Sequence, residues 1–478
     1  MASGTFWNAL ERFSVMGIQL ICTFVLARFL TPGMFGLMGM LVVFTLIAGT
    51  LTESGFSQAL IREPDVDRRT LSTVFWANVL LSVVIYGLLW LSAPLIARFY
   101  HEPLLTDVSR MTFLVIPLGA LSLIHQTLST RQLAFRRMCL VSLTASLVSC
   151  ALAVVWAWRT HSVWALVVQN VAAYALRTLG FWLTTHFRPS LTFAWSELKR
   201  LFSFAQNLLI TGLIGNLFNN IYTLLIGRFY GTAQAGYFVQ ADRIRLVTSN
   251  SMTQVVQSVS YPILARINNE QAADCDIRSS YRSIILITLM AVGFMMTMLM
   301  NVGEDLMELL MGSAEWRTSG RYLLALGVVG VLYPLHAVNQ NILLVKGLGR
   351  TVLWIEVARR SLMVLLIVCA LQLNVEAFVW SYTLYSILLI PLNLYICGRP
   401  IGYGLRQQLT DIMPLLSGFL LMTITAQLSN HVLALQALPL RLTITLALTS
   451  LVGLFCFRKH PAFSDILSLV RVLLKRNR

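Results

Sequence analysis

The segment YFVQADRIRLVTSNSMTQVVQS, residues 237–258, sets Gln240, Arg243, Asn250, Gln254 and Gln257 near one face at helical spacing inside an apolar stretch. A second stripe precedes it in GNLFNNIYT, with Asn216, Asn219, Asn220 and Thr223. Asn170, Tyr174 and Arg177 fall at i, i+4 and i+7. His336, Asn339 and Gln340 form a further set, and Glu356, Arg359 and Arg360 another. Guanidinium and carboxamide groups supply positive charge and many hydrogen-bond donors and acceptors. That is the chemistry of holding a polar ligand, not of making or breaking bonds. The P-loop, HExxH and GxSxG patterns are absent from the chain, so no nucleotide-driven pump, zinc hydrolase or serine hydrolase is implied and no cofactor is expected.

Side chains of this kind must be positioned by the segments around them, and those segments are apolar to an unusual degree. Of 478 residues, 57% are hydrophobic and 12% charged, against about 25% charged in an ordinary soluble domain. Mean hydropathy is +0.73. No aqueous core needs so much apolar surface, so lipid is the solvent for most of the chain. A spanning helix needs roughly 20 mainly apolar residues. About fourteen such stretches can be read, near 11–30, 35–55, 73–95, 111–130, 138–158, 162–185, 203–227, 236–262, 283–303, 320–345, 352–372, 376–397, 411–429 and 437–457. The expected class is all-α and integral to the membrane. The start, MASGTFWNALERFS, lacks a basic n-region and a small-residue cleavage site, so the first span is expected to be retained. The seven cysteines form no CxxC pair and suggest no disulfide framework.

Lysine and arginine crowd one set of connections. Arg62, Arg68, Arg69, Arg131, Arg136, Arg137, Arg188, Lys199, Arg200, Arg266, Arg278 and Arg282 fall on that side. Arg28, Arg98, Arg110, Arg159, Arg228, Arg317, Arg321 and Arg441 fall on the other, while Lys346, Arg350, Arg399, Arg406 and the basic tail add to the first. The positive-inside rule then puts both termini in the cytoplasm. The net charge of +16 follows largely from this bias, and no nucleic-acid partner is expected. The tail, HPAFSDILSLVRVLLKRNR, places Phe463, Ile466, Leu467, Val470, Leu473 and Leu474 on one face, with Arg471, Lys475, Arg476 and Arg478 at its end. It suits an amphipathic helix on an anionic membrane surface, or a partner-binding helix.

The chain also repeats itself. LARFLTPGMFGLM and IGRFYGTAQAGYF each end an apolar run with Arg-Phe and carry a glycine eight residues after the arginine: Arg28–Phe29…Gly36 and Arg228–Phe229…Gly236. Ile21 and Thr23 recur as Ile221 and Thr223. His125 in the fourth span is echoed by His336 in the tenth. Six spans separate the counterparts, an even number, which implies parallel repeats related by an axis along the membrane normal. In transporters built this way the substrate lies between the halves. The expected organisation is a first lobe at 1–195, a second at 196–400, and two further spans with the basic tail at 401–478.

LARFLTPGMFGLMGM, followed by ESGFSQALIRE, STVFWANVL and APLIARFYHEPLL, resembles the polysaccharide repeat-unit flippases of the O-antigen and colanic-acid type, within the multidrug/oligosaccharidyl-lipid/polysaccharide exporter superfamily. VWALVVQN, IGRFYGTAQAGYFVQADRI and VVQSVSYPILARI extend the likeness over about residues 5–360. One departure is Gly33–Met34, where the family commonly has an acidic residue. The resemblance implies two six-helix lobes around a central cavity, plus two C-terminal helices. It also implies alternating access that carries a lipid-linked oligosaccharide, on undecaprenyl diphosphate, from the cytoplasmic to the periplasmic leaflet of the bacterial inner membrane. Bilayer lipid is the other expected partner, with polysaccharide polymerase and chain-length proteins as candidates.

Such a substrate has an apolar tail, a charged diphosphate and a hydroxyl-rich glycan. Each unsatisfied polar group costs several kcal/mol in hydrocarbon, so a carrier needs cations and hydrogen-bonding groups at membrane depth. Arg243, Arg177, Asn216, Asn220, Gln240, Asn250, Asn170 and His336 are the candidate cavity residues. Other placements stay open for them. Asn and Gln also glue neighbouring helices, arginines near helix ends snorkel, histidines pack, and Arg359 and Arg360 can pair with Glu356. Pro117, Pro334, Pro391 and Pro414 are either hinges or ordinary kinks. An organic-cation antiporter of the same fold would need an acidic site instead, for which Asp242 and Glu356 are the candidates. An integral-membrane glycan polymerase or ligase is the third possibility.

Overall fold

The computed structural model describes residues 2–53, 55–63, 66–269, 274–433, 435–458 and 460–465. The described residues contain helices and no strands. In chain order the first helices are α1 (Ala2–Ala27), α2 (Pro32–Glu53), α3 (Phe56–Arg62), α4 (Arg68–Tyr100), α5 (Leu105–Thr112) and α6 (Val115–Arg131). They are followed by α7 (Phe135–Thr160), α8 (Trp164–Thr184), α9 (Trp195–Tyr230), α10 (Thr232–Arg245) and α11 (Ser251–Asn269). The rest are α12 (Asp274–Asn301), α13 (Gly303–Met311), α14 (Arg317–Val345), α15 (Gly349–Ala370), α16 (Val375–Gly398), α17 (Leu405–Val432) and α18 (Leu438–Phe457). Of the tail, only residues up to 465 are described, so most of the expected amphipathic helix lies outside them.

Every stretch expected to span is helical, but the count of fourteen spans is not reproduced. Eleven helical stretches of the described chain are long and apolar enough to cross a membrane. The three that fall short are α8, the α10–α11 pair and α15. These same helices carry Asn170 and Arg177, Gln240 and Arg243, and Glu356, Arg359 and Arg360. Only the lipid-facing side of a spanning helix must be apolar; a side facing protein or water need not be. Polarity is thus concentrated on particular helices.

Local chemistry sets the ends. Pro32 opens α2, where its missing N–H is no loss. Asp67 caps α4 by accepting from the Thr70 amide at 2.8 Å. Gly231, at φ +91°, separates α9 from α10 in a conformation that side chains avoid. Pro117 follows the break between α5 and α6, whereas Pro334, Pro391 and Pro414 sit inside unbroken helices.

The chain forms two compact units, residues 1–239 and 240–478. In the first, α1 packs on α7, α7 and α6 on α8, and α2 on α9. In the second, α12 and α16 flank α14, and α17 pairs with α18 and packs on α12. Leu80, Leu91, Leu183, Leu353 and Leu420 stand exposed, as lipid-facing side chains should.

The repeated motif has a structural meaning inside the first unit. A Cβ on Gly36 would lie 1.8 Å from the Thr232 carbonyl oxygen, and one on Gly236 would lie 1.9 Å from that of Pro32. Gly36 and Gly236 are counterparts in the repeat, and so are Pro32 and Thr232. The contact is therefore reciprocal: the start of α2 crosses the start of α10 backbone to backbone, and each needs glycine at the crossing. Small residues permit this approach between membrane helices. The histidine echo behaves alike in both units. His125 on α6 bonds Thr185, just past α8, at 2.6 Å, and His336 on α14 bonds Ser386 on α16 at 3.3 Å. Each ties the expected fourth span of its half to the expected sixth.

Candidate functional site

In the first unit a cavity of about 540 Å³ opens between α1, α7 and α8. Tyr174 and Arg177 line it from α8, Ser142 and Ser146 from α7, and Asn8, Glu11, Arg12 and Gln19 from α1. Arg177 donates through Nη2 to Gln126 Oε1 at 3.0 Å and lies 5.8 Å from the Phe181 ring centroid. Its Nε is buried and has no hydrogen-bond partner. An unsatisfied buried donor on a charged group costs free energy. The Glu11 carboxylate accepts from Ser142 Oγ at 2.6 Å. The stripe on α1 was legible as Asn8, Glu11, Arg12 and Gln19 at helical spacing, but hydropathy alone begins the first span at about residue 11 and passes over it.

The other candidates of this unit do not join that cavity. Asn170 is exposed and its Nδ2 bonds back to the Leu166 carbonyl at 2.9 Å. Asn216 donates to Thr50 Oγ1 on α2 at 2.7 Å, and Asn220 to the Asn216 carbonyl at 2.9 Å. Asn216 thus fastens α9 to α2.

In the second unit the polar helices converge differently. Gln240 is buried and Arg243 half-buried on α10. The more enclosed cation is Arg245, which the sequence reading passed over. Its Nε lies 2.6 Å from Asp242 Oδ1 and its guanidinium 5.7 Å from the Tyr382 ring centroid. The i, i+3 spacing of Asp242 and Arg245 was the available signal. Immediately after Arg245 the helix widens into a π-turn over Leu246–Asn250. Such turns recur at functional sites. Here Ser249 Oγ donates to the Gly330 carbonyl at 2.6 Å, while Asn250 Oδ1 is buried with no partner.

His336 meets Asn393 Nδ2 at its Nδ1, and its Nε2 lies 3.3 Å from Ser386 Oγ. It shares a small cavity with Gln340, Glu356, Arg359 and Asn393. Glu356 is held by Arg359 at 2.5 Å and by Arg360 at 3.5 Å. Both carboxylates that an organic-cation site would need, Asp242 and Glu356, are therefore neutralised by arginine.

The profile of the polysaccharide biosynthesis protein family matches residues 25–320. The chain belongs to this family. Among its relatives, the teichuronic acid biosynthesis protein TuaB of Bacillus subtilis is 25% identical over 466 residues, covering 96% of this chain and 95% of that one. The lipopolysaccharide biosynthesis protein WzxC of Escherichia coli is 25% identical, with 72% and 70% covered. The succinoglycan biosynthesis transport protein ExoT of Rhizobium meliloti is 24% identical, with 68% and 65% covered. In fold the chain is similar to the lipid II flippase MurJ in an inward closed conformation, with TM-score 0.69 at 11% identity over 94% of this chain and 98% of that one. It is also similar to an inward-facing multidrug resistance MATE transporter, with TM-score 0.62 at 11% identity over 83% and 98%. The family assignment bears out the likeness carried by the Arg-Phe motifs, and the all-helical membrane fold is that of these transporters. The chain is a multi-pass membrane protein.

Proposed function

We propose that the chain translocates undecaprenyl-diphosphate-linked oligosaccharide repeat units from the cytoplasmic to the periplasmic leaflet of the bacterial inner membrane, by alternating access. The observation that carries this reading is the coincidence of polarity and charge. The three expected spans that fall short in hydropathy are those that carry Arg177, Arg243, Arg245 and Arg359, while the nearby acids Asp242 and Glu356 are spent on arginine partners. A cationic interior suits a diphosphate and disfavours an organic cation. The family and its relatives in teichuronic acid, lipopolysaccharide and succinoglycan biosynthesis support transport over polymerisation.

In this reading Arg177 and Arg243 hold the anionic part of the substrate, and Gln240 and Asn250 meet its hydroxyls. The undecaprenyl tail stays in the bilayer. Both termini are cytoplasmic, and polymerase or chain-length proteins receive the product. Hydrogen bonds to charged groups contribute about 1.5–3 kcal/mol. Arg243→Ala should therefore lower uptake of labelled lipid-linked oligosaccharide into proteoliposomes at least tenfold. Arg243→Lys, which keeps the charge but loses the two-pronged donor, should fall between. Normal transport by Arg243→Ala would move the role to another cation, with Arg177 tested next.

A further inference from the structure

A further pocket lies away from these residues, at the ends of α12 and α17. It encloses about 440 Å³ and is lined by Arg278, Ser279 and Arg282 of α12, Tyr403, and Thr410 and Asp411 of α17. Arg278 donates to Gln407 Oε1 at 2.8 Å and to the Gly402 carbonyl at 3.3 Å, with its guanidinium 5.3 Å from the Tyr403 ring centroid. Arg282 lies 2.5 Å from Asp411 Oδ1, and the Tyr403 hydroxyl donates to Asp411 Oδ2. Each guanidinium has five N–H donors, so these contacts leave donors to spare on both. The single carboxylate does not balance two arginines, and Arg399 and Arg406 flank the same connection in the chain. Ser279 and Thr410 are exposed and add hydroxyl donors.

The depth of the pocket says what kind of anion fits. Arg278 and Arg282 stand on the first turns of one spanning helix, Asp276–Asn301, and Thr410 on the first turns of another, Leu405–Val432. From this mouth an exposed apolar stripe runs down α17 through Leu409, Met413, Leu420, Ile424 and Leu428, one face at helical spacing. Two arginines and two hydroxyls at the membrane boundary, continuous with an apolar track, match an amphiphile with an anionic head. Basic pockets between spanning helices bind such headgroups.

We propose that this pocket seats the phosphate of an anionic glycerophospholipid of the bilayer, whose acyl chains lie along the exposed face of α17. The proposal is independent of which substrate the protein transports. Native mass spectrometry of the full-length protein in detergent, titrated with phosphatidylglycerol, phosphatidylcholine or inorganic phosphate, tests it. A basic side chain near an anionic surface is worth about fivefold in binding, and two about thirtyfold. The double variant Arg278→Gln/Arg282→Gln should weaken phosphatidylglycerol binding by about thirtyfold and leave phosphatidylcholine binding unchanged. Thr410→Trp, which fills the pocket and keeps both arginines and Asp411, should do the same in a protein whose ion pair is intact. Undiminished phosphatidylglycerol binding by Thr410→Trp would overturn the site. Equal competition by inorganic phosphate at matched concentration would assign it to a free anion instead and overturn the lipid.

Discussion

Replacing Gly36 with alanine perturbs the reciprocal crossing of α2 and α10 at its closest point. The new methyl would start 1.8 Å from the Thr232 carbonyl oxygen and 2.9 Å from the Gly236 amide nitrogen. Carbon and carbonyl oxygen rest at roughly 3.3 Å or more, so the helices must part by about 1.5 Å. Both obstructing atoms are backbone, so no side chain can turn aside. Overpacking of this kind costs about 1–3 kcal/mol, and more where backbone must move. Gly236→Ala should cost a similar amount, because its methyl meets the Pro32 carbonyl at 1.9 Å. Gly49 is the internal control: it lies in the same helix α2, with nothing within 4 Å of an added Cβ. Gly49→Ala should be neutral, or stabilising by up to about 1 kcal/mol from helix propensity. Thermal unfolding of the detergent-solubilised variants, followed by the loss of the monodisperse species, reads the difference. If Gly36→Ala unfolds at the native temperature and transports normally, the crossing does not hold the helices as inferred.

Removing Arg441 should strand Asp305, which is buried and lies 2.6 Å from the Arg441 Nε, with Arg317 at 3.5 Å as its remaining cation. Arg441→Ala should destabilise by about 3 kcal/mol, and the neutral pair Asp305→Asn/Arg441→Gln should recover much of it in the same unfolding assay. For topology, single cysteines at Arg68, Arg136 and Arg159, all exposed, should separate under an impermeant thiol reagent applied from the periplasm, with only position 159 labelled. Arg136 and Arg159 stand near opposite ends of α7, so labelling of both from one side would contradict a spanning α7.

Much of the fold was legible because a membrane imposes few choices. Apolar runs of the right length became helices, and the repeated Arg-Phe…Gly pattern marked two positions that share one constraint. The nature of that constraint was not legible, because nothing in the sequence says that Gly36 and Gly236 touch. The site was legible in kind more than in detail. Arg177 and Tyr174 share a cavity as their spacing suggested, but Asn216 spends its amide on Thr50, a partner far away in the chain. Arg243 was singled out over Arg245 because the face it shared with Gln240 and Asn250 was visible in the spacing. The π-turn that follows shifts the register of that face, and no period of 3.6 residues anticipates it. Glu11 and Gln19 stood at helical spacing within the first expected span, but the apolar run around them drew the reading to its length and not to that stripe.

The central claim is that the chain moves a preassembled glycolipid and does no chemistry on it. Proteoliposomes containing only this protein and a fluorescent undecaprenyl-diphosphate oligosaccharide test it. The fraction of label exposed to a membrane-impermeant quencher is followed in time, and the lipid is then recovered for mass analysis. Protein-dependent transfer between leaflets, with the mass of the glycolipid unchanged, is the result expected. A lengthened or cleaved glycan, or no transfer while an organic cation is carried, would contradict it.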